Sequence, residues 1–324
     1  MKIYANLIAT LFVRILSGVK KSRTPIGVAI AGVGLIGFAE AAVDFCQKTA
    51  QDALRACQDT AESARSIALG KCENISDSGA RADCPKQAAA DFRDALQTCR
   101  DGYAVRQAAC QKLGPGSYDP VINPANFVRN VTNPYFPLPP GQTFVYEGQT
   151  KDGFVHSDFI VTRKTKVIVG VTCTEVHDVV YLDGVVAEDT LDWYAQDKQG
   201  NVWYFGENTA ELVDGRVVTV AGTFTVGVNG DKPGIIMEAH PMPGDFYRQE
   251  FSLANAEDYA EVVSLNATVK VPAGVFRQCL KTEETTPLEP DLLEDKYYAA
   301  GFGNVLTVDV RNGDKIKLVK ITTN

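Results

Sequence analysis

Apolar and polar positions recur along this chain with two different periods, and the change falls near residue 114. Val43, Cys46, Ala50, Ala53, Cys57, Ala64 and Ile67 fall on one helical stripe of residues 43–69. Ala88, Phe92, Ala95, Cys99, Tyr103, Arg106 and Cys110 repeat the pattern over residues 86–112. The stretch between them, "GKCENISDSGARADCPK" (70–86), is rich in breakers and cap residues such as Gly70, Asp77 and Pro85. Two antiparallel helices joined by a turn are expected.

From residue 143 the period becomes two. "TFVYEGQT", "FVHSDFIVTRK", "VVAEDTLDWYAQD", "NVWYFGENTAELV", "AEVVSLNATVKVP" and "KIKLVKITTN" are among some ten alternating or β-branched runs, separated by turns such as "DG", "QGN" and "RNGD". Consecutive strands of this kind form an antiparallel meander, as a curved sheet or a barrel-like half-shell. The fold class expected is α+β, a helical hairpin followed by an antiparallel β domain. Its parts are a hairpin at 42–113, a proline-rich linker and entry to the first strand at 114–142, and a β domain at 143–324.

The cysteines sharpen the helical half. Cys46, Cys57, Cys72, Cys84, Cys99 and Cys110 are spaced 11, 15, 12, 15 and 11 apart, a series that reads the same in both directions. Pairing outermost with outermost gives Cys46–Cys110, Cys57–Cys99 and Cys72–Cys84, with a constant sum of residue numbers. An antiparallel hairpin produces that sum, because a step up one arm matches a step down the other. Two alanine-rich arms bury little side chain, and each bridge adds about 2–4 kcal/mol by restricting the unfolded chain. Zinc is the weaker reading, since no CxxC occurs and no histidine lies in the segment. The remaining two, Cys173 and Cys279, are expected to pair across the sheet, with two buried free thiols as the alternative.

Disulfides need an oxidising compartment, and the amino terminus supplies a route to one. A basic stretch (Arg14, Lys20, Lys21, Arg23), the apolar run "IGVAIAGVGLIGF" (26–38) and "AEA" (39–41) form a secretory signal with cleavage expected after Ala41. "KKSRTP" directly after Val19 is a normal opening for such a signal, so initiation is expected at codon 19 rather than at Met1. The localisation expected is periplasmic or extracellular. An uncleaved single-pass anchor facing the periplasm is the alternative. The formal charge of −8 becomes −12 without residues 1–41, which carry five basic residues and one acidic. That balance disfavours nucleic acid and anionic membrane surfaces as partners.

Six segments carry a resemblance: "NPYFPLPPG", "DWYAQDKQGNVWYFGE", "KPGIIM", "GDFYRQEF", "VPAGVFRQCLKTEETTPLEP" and "KYYAAGFGNVL". Over roughly residues 130–310 they resemble a recurrent set of uncharacterised exported bacterial proteins. The last segment also resembles the closing strands of LolA-like periplasmic half-barrels. What that second resemblance implies is a concave sheet that holds a lipid or other apolar ligand. The stapled hairpin is no part of the half-barrel pattern.

Candidate chemistry concentrates in "EDTLDWYAQDKQGNVWYFGE". If its two halves form a hairpin around "KQG", Trp193 and Trp203 come near one another across strands, and Glu188 and Asp192 share a face because their separation is even. Glu188, Asp192, Trp193, Trp203 and Tyr204 are therefore the candidate ligand-binding residues, for a cation or a polar headgroup. A packed hairpin with its acids in water is the plainer reading. His156, His177 and His240 lack metal-ligand spacing and are expected to be solvent-facing or hydrogen-bonded. No nucleophile elbow, phosphate loop or dinucleotide fingerprint occurs, and no cofactor is implied. The function expected is that of a non-catalytic exported envelope protein. Its concave β domain would take an apolar small ligand, and its hairpin would be a rigid arm about 40 Å long for a protein partner or a second copy. Alternatives are a carboxylate- or metal-dependent hydrolase, and an accessory subunit tied to the membrane by an uncleaved residue 1–41 segment.

Overall fold

The computed structural model describes residues 43–323, so the export signal and start site read at residues 1–41 lie outside it. Helix α1 spans Phe45–Cys72 and helix α2 spans Ser78–Leu113. Asp44 caps α1 by accepting from the Gln47 N–H at 2.8 Å, and Asp77 caps α2 by accepting from the Ala80 N–H at 2.7 Å. The connection is shorter than the breakers suggested. Asp77 starts α2 eight residues before Pro85, which sits inside the helix and leaves one backbone carbonyl without its usual donor.

The three bridges join Cys46 to Cys110, Cys57 to Cys99 and Cys72 to Cys84, the nested order read from the spacing. Their Cα atoms lie 5.6, 5.7 and 5.6 Å apart, so the arms stay at one separation along their length. Small buried residues permit the close approach: Ala50, Ala53 and Ala61 on α1, Ala88 and Ala109 on α2. The ends of the α1 stripe do not follow, since Val43 and Ile67 are exposed. Three disulfides indicate an oxidising extracellular or periplasmic setting. Among the described residues no helix is long and apolar enough to cross a membrane.

The rest of the described chain is one antiparallel sheet. Its strands are β1 (Phe127–Val128), β2 (Gln142–Thr150), β3 (Gly153–Ile168), β4 (Val171–Leu182), β5 (Val185–Asp197) and β6 (Val202–Val213). Next come β7 (Arg216–Thr219), β8 (Phe224–Thr225), β9 (Lys232–Met237), β10 (Phe246–Arg248) and β11 (Glu250–Phe251). The last five are β12 (Tyr259–Val271), β13 (Gly274–Thr285), β14 (Leu293–Ala299), β15 (Gly303–Asp309) and β16 (Lys315–Thr323). The sheet order is β10-β12-β13-β14-β15-β16-β2-β3-β4-β5-β6-β9-β11. Its two ends are consecutive in sequence. Residues 246–248 pair with β12 and residues 250–251 pair with β9, with Gln249 between them. The meander therefore curls into a nearly closed barrel, and residues 246–251 form its seam. Gly234 makes the seam possible, because a Cβ there would lie 2.2 Å from the Gln249 carbonyl carbon.

The hairpin packs by its base against this seam. Arg106 donates from Nε and Nη2 to the two oxygens of Glu257, at 3.1 and 2.5 Å. Lys112 pairs with Glu261, and the Arg248 guanidinium lies over Tyr118, Phe251 and Tyr259 while its Nη2 reaches Cys46 Sγ at 3.7 Å. Gly102 leaves room for the Pro287 carbonyl, which a Cβ would meet at 2.3 Å.

Cys173 and Cys279 do not pair; both are buried free thiols. Cys173 stands on β4 and Cys279 on β13, strands that are not neighbours in the sheet order. Burial pushes the Cys173 thiol up to about 12, so it is an inert core residue. The proline-rich stretch is more than a tether: Val131 and Leu138 are buried in the barrel core. Asn133, 2% exposed, fastens the stretch by donating to the Gly200 and Glu238 carbonyls, both at 2.9 Å.

Candidate functional site

Alternation along β5 puts Glu188, Thr190, Asp192 and Tyr194 on the inner face of the barrel, as the even spacing required. Across from them β6 brings Tyr204 and Glu207, with Asp192 directly opposite Glu207. The turn between the strands is held by Asp197, whose Oδ1 accepts the N–H groups of Gly200 and Asn201 at 2.8 and 2.9 Å. A bulge at Trp193/Tyr194 then stacks Tyr194 on Tyr204, ring centroids 4.7 Å apart.

The two tryptophans do not join this site. Trp193 alternates with Asp192 and Tyr194, so it faces the other way, under the Lys166 ammonium 3.2 Å from its ring centroid. Trp203 lies opposite Ala195, donates to Asp197 Oδ2 at 2.9 Å and meets Phe127 edge-on. The expectation that the rings meet fails because the bulge sets Trp193 opposite Gly206. A Cβ on Gly206 would strike the Phe224 carbonyl oxygen at 2.5 Å, so no side chain fits there.

Strands distant in sequence complete the interior. Asp178 comes from β4, Gln249 and Glu250 from the seam, Asp258 from the turn before β12, and Lys296 from β14. Together with Glu188, Asp192 and Glu207 they line a cavity holding about 70 Å³ of space for water centres. A second cavity of the same measure is walled mainly by Phe136, Leu138, Phe144, Tyr298 and Phe302. Phe159, Tyr194, Ile236 and Lys296 line both, so the acidic floor and the aromatic mouth adjoin. The proline-rich stretch contributes Phe136, whose ring is 5.1 Å from Tyr194.

The floor is electrostatically unusual. The Tyr204 hydroxyl contacts Asp192 Oδ1 and, at 2.9 Å, Glu207 Oε2. One hydroxyl proton satisfies only one carboxylate, so the second contact requires a protonated carboxyl donating to the tyrosine oxygen. Consistently, burial and then the Glu207 charge hold the Asp192 carboxyl well above its ordinary range. Burial, reinforced by Glu188, pushes Asp178 up to about 6, although Ser157 donates to it at 2.8 Å. Thr190 donates to Glu188 at 2.8 Å. Lys296 is spoken for: its Nζ lies 2.7 Å from Glu284 and 3.4 Å from Glu294. Burial alone would raise the Glu284 carboxyl, but Lys296 outweighs it and holds that group below its ordinary value.

The histidines lie outside this interior cluster. His156 contacts Glu147 and Asp158 at 3.2 and 3.4 Å, His177 contacts Asp189 at 2.8 Å, and His240 is exposed. Among the described residues no three His, Cys, Asp or Glu side chains converge with the geometry to hold a metal ion. Sequence reasoning found Glu188, Asp192 and Tyr204, but missed Asp178, Gln249, Glu250, Asp258 and Lys296. The alternation of β4 and β14 marks Asp178 and Lys296 as inward only once the side facing the core is known. Comparison with protein-family models, with curated proteins and with solved structures found no match.

Proposed function

We propose that this is an exported envelope protein whose barrel interior binds a small ligand, with the stapled hairpin serving as a rigid docking arm. One observation carries the reading. A cavity with an aromatic mouth and a buried polar floor runs into the barrel, where a fold needing only stability would place close-packed aliphatic side chains. The combined space suits a compact molecule rather than a long acyl chain. The hairpin supports the second half of the reading. Its base is anchored at the seam by Arg106 and Lys112, and 28 residues of α1 reach about 42 Å at 1.5 Å per residue. Periplasmic residence, with residues 1–41 removed, fits the disulfides; retention of that segment would make the protein an anchored accessory subunit.

Native mass spectrometry of protein isolated from its own envelope tests this. The expected result is a bound small molecule, or a defined oligomer or partner complex. A bare monomer would contradict both halves.

One observation favours a second reading, carboxylate-based hydrolysis. A proton-holding carboxyl beside another carboxylate is the equipment of general acid–base catalysis. It predicts that Asp192→Asn and Glu188→Gln abolish turnover of an ester, glycoside or peptide while thermal stability is kept. Unchanged turnover in both would remove it.

A further inference from the structure

The floor of the cavity specifies the charge of what it binds. Six carboxyl side chains line it: Asp178, Glu188, Asp192, Glu207, Glu250 and Asp258. Among the described residues the lining contains one cation, Lys296, and its ammonium already sits on Glu284 and Glu294. An anionic ligand would meet an excess of like charge at low dielectric.

The second observation is independent of the acids. Gln249 is 3% exposed, lines the same cavity, and its side-chain amide nitrogen has no hydrogen-bond partner among the described residues. Its backbone cannot shift to find one, because its N–H donates to the Asp258 carbonyl at 2.8 Å and Gly234 presses against its carbonyl. Buried donors left open are uncommon in native interiors. A ligand oxygen would satisfy the Gln249 amide.

The third observation is the wall. The stacked pair Tyr194 and Tyr204 connects the acids to Phe136 and Phe159, which gives a ligand an aromatic, apolar continuation beyond the acids. Hydroxyls from Ser157, Thr190 and Tyr204 occupy oxygens of Asp178, Glu188, Asp192 and Glu207, which leaves directional contacts suited to N–H donors rather than a metal shell.

We infer that the barrel interior is a site for a compact organic cation, a protonated amine with an acceptor oxygen close to its charge and an apolar group beyond. The ammonium lies among Asp178, Glu188, Asp192 and Glu207, the oxygen accepts from Gln249, and the apolar group fills the mouth beside Phe136 and Phe159. This rests on the ligand-binding reading above and narrows it to one chemical class.

Calorimetric titration of the oxidised full chain with three isosteric probes tests it: 2-phenoxyethylamine, 2-phenoxyethanol and phenoxyacetate. The amine is expected to bind at least tenfold more tightly than the alcohol, with no heat from the anion. Glu207→Gln and Gln249→Leu should each weaken the amine about tenfold, with circular dichroism and the melting temperature checking that the barrel is intact. Equal binding of the alcohol or the anion would overturn the cation assignment and leave ligand binding standing. Binding by none of the three would also overturn it, while a small-molecule adduct of another class in the native mass spectrum would preserve the wider reading.

Discussion

A carboxyl group that is buried without a cation gives up its proton only at raised pH, and Asp178 does so at the cost of pH-dependent stability. Burial and Glu188 push it up to about 6, against 3.8 when unperturbed. Between those values the folded chain holds a proton that the unfolded chain has lost, so stability falls as pH rises through that window. Each pH unit in it is worth about 1.4 kcal/mol. Asp192 contributes in the same direction, and Glu284, held down by Lys296, in the opposite one on acidification. We predict that Asp178→Asn flattens the fall between pH 4 and 6 and stabilises the protein by on the order of 2 kcal/mol at pH 7.5. Urea unfolding at several pH values reads both effects; a variant less stable than wild type at pH 7.5 would contradict them. At this scale the sequence was informative only locally. The four-residue separation of Glu188 and Asp192 is visible in one strand, whereas Lys296 reaches the floor from β14, more than a hundred residues away. The tryptophans misled because a single bulge, invisible in the alternation, moved Trp193 out of register with Trp203.

The helical hairpin is the element most completely legible, because its information is stored in covalent spacing. Mirror-symmetric gaps can be satisfied by one nested pairing of antiparallel rods, and that pairing is found. Pairing Cys173 with Cys279 had no such geometric ground; it followed only from what remained, and both are free thiols on strands that are not neighbours. What spacing could not reveal is how the hairpin attaches. Arg106 falls on the apolar stripe, yet its partner Glu257 is 151 positions away and 1% exposed. Removing one member of a buried, doubly bonded pair strands the other charge, at a cost of about 3–5 kcal/mol. Arg106→Ala is therefore predicted to lower stability by that amount, with the loss recovered in part by adding Glu257→Gln. If the single variant unfolds like wild type, the anchor is misassigned. Replacing Cys57 and Cys99 together by serine should cost about 2–4 kcal/mol and loosen the arm first, as hydrogen exchange in α1 would show.

Over the whole molecule, closure is the property that creates the site. A meander of alternating strands predicts a curved sheet, but curvature alone does not say whether its edges meet. Here they meet because one six-residue segment, 246–251, pairs to the left with its first half and to the right with its second, hinged on Gln249 and admitted by Gly234. That seam gathers six acids from five parts of the chain into one interior, and the hairpin covers it from outside, Arg106 on Glu257 and Cys46 against Arg248. A close-packed barrel would need none of the buried carboxyls; an interior that receives a guest has a use for all of them. The most direct test is native mass spectrometry of envelope-derived wild type beside Thr190→Phe, whose ring would fill the floor of the cavity. A small-molecule adduct on the wild type and its loss from the folded variant are expected. A wild type that carries nothing, or a variant that keeps the adduct, would contradict this reading.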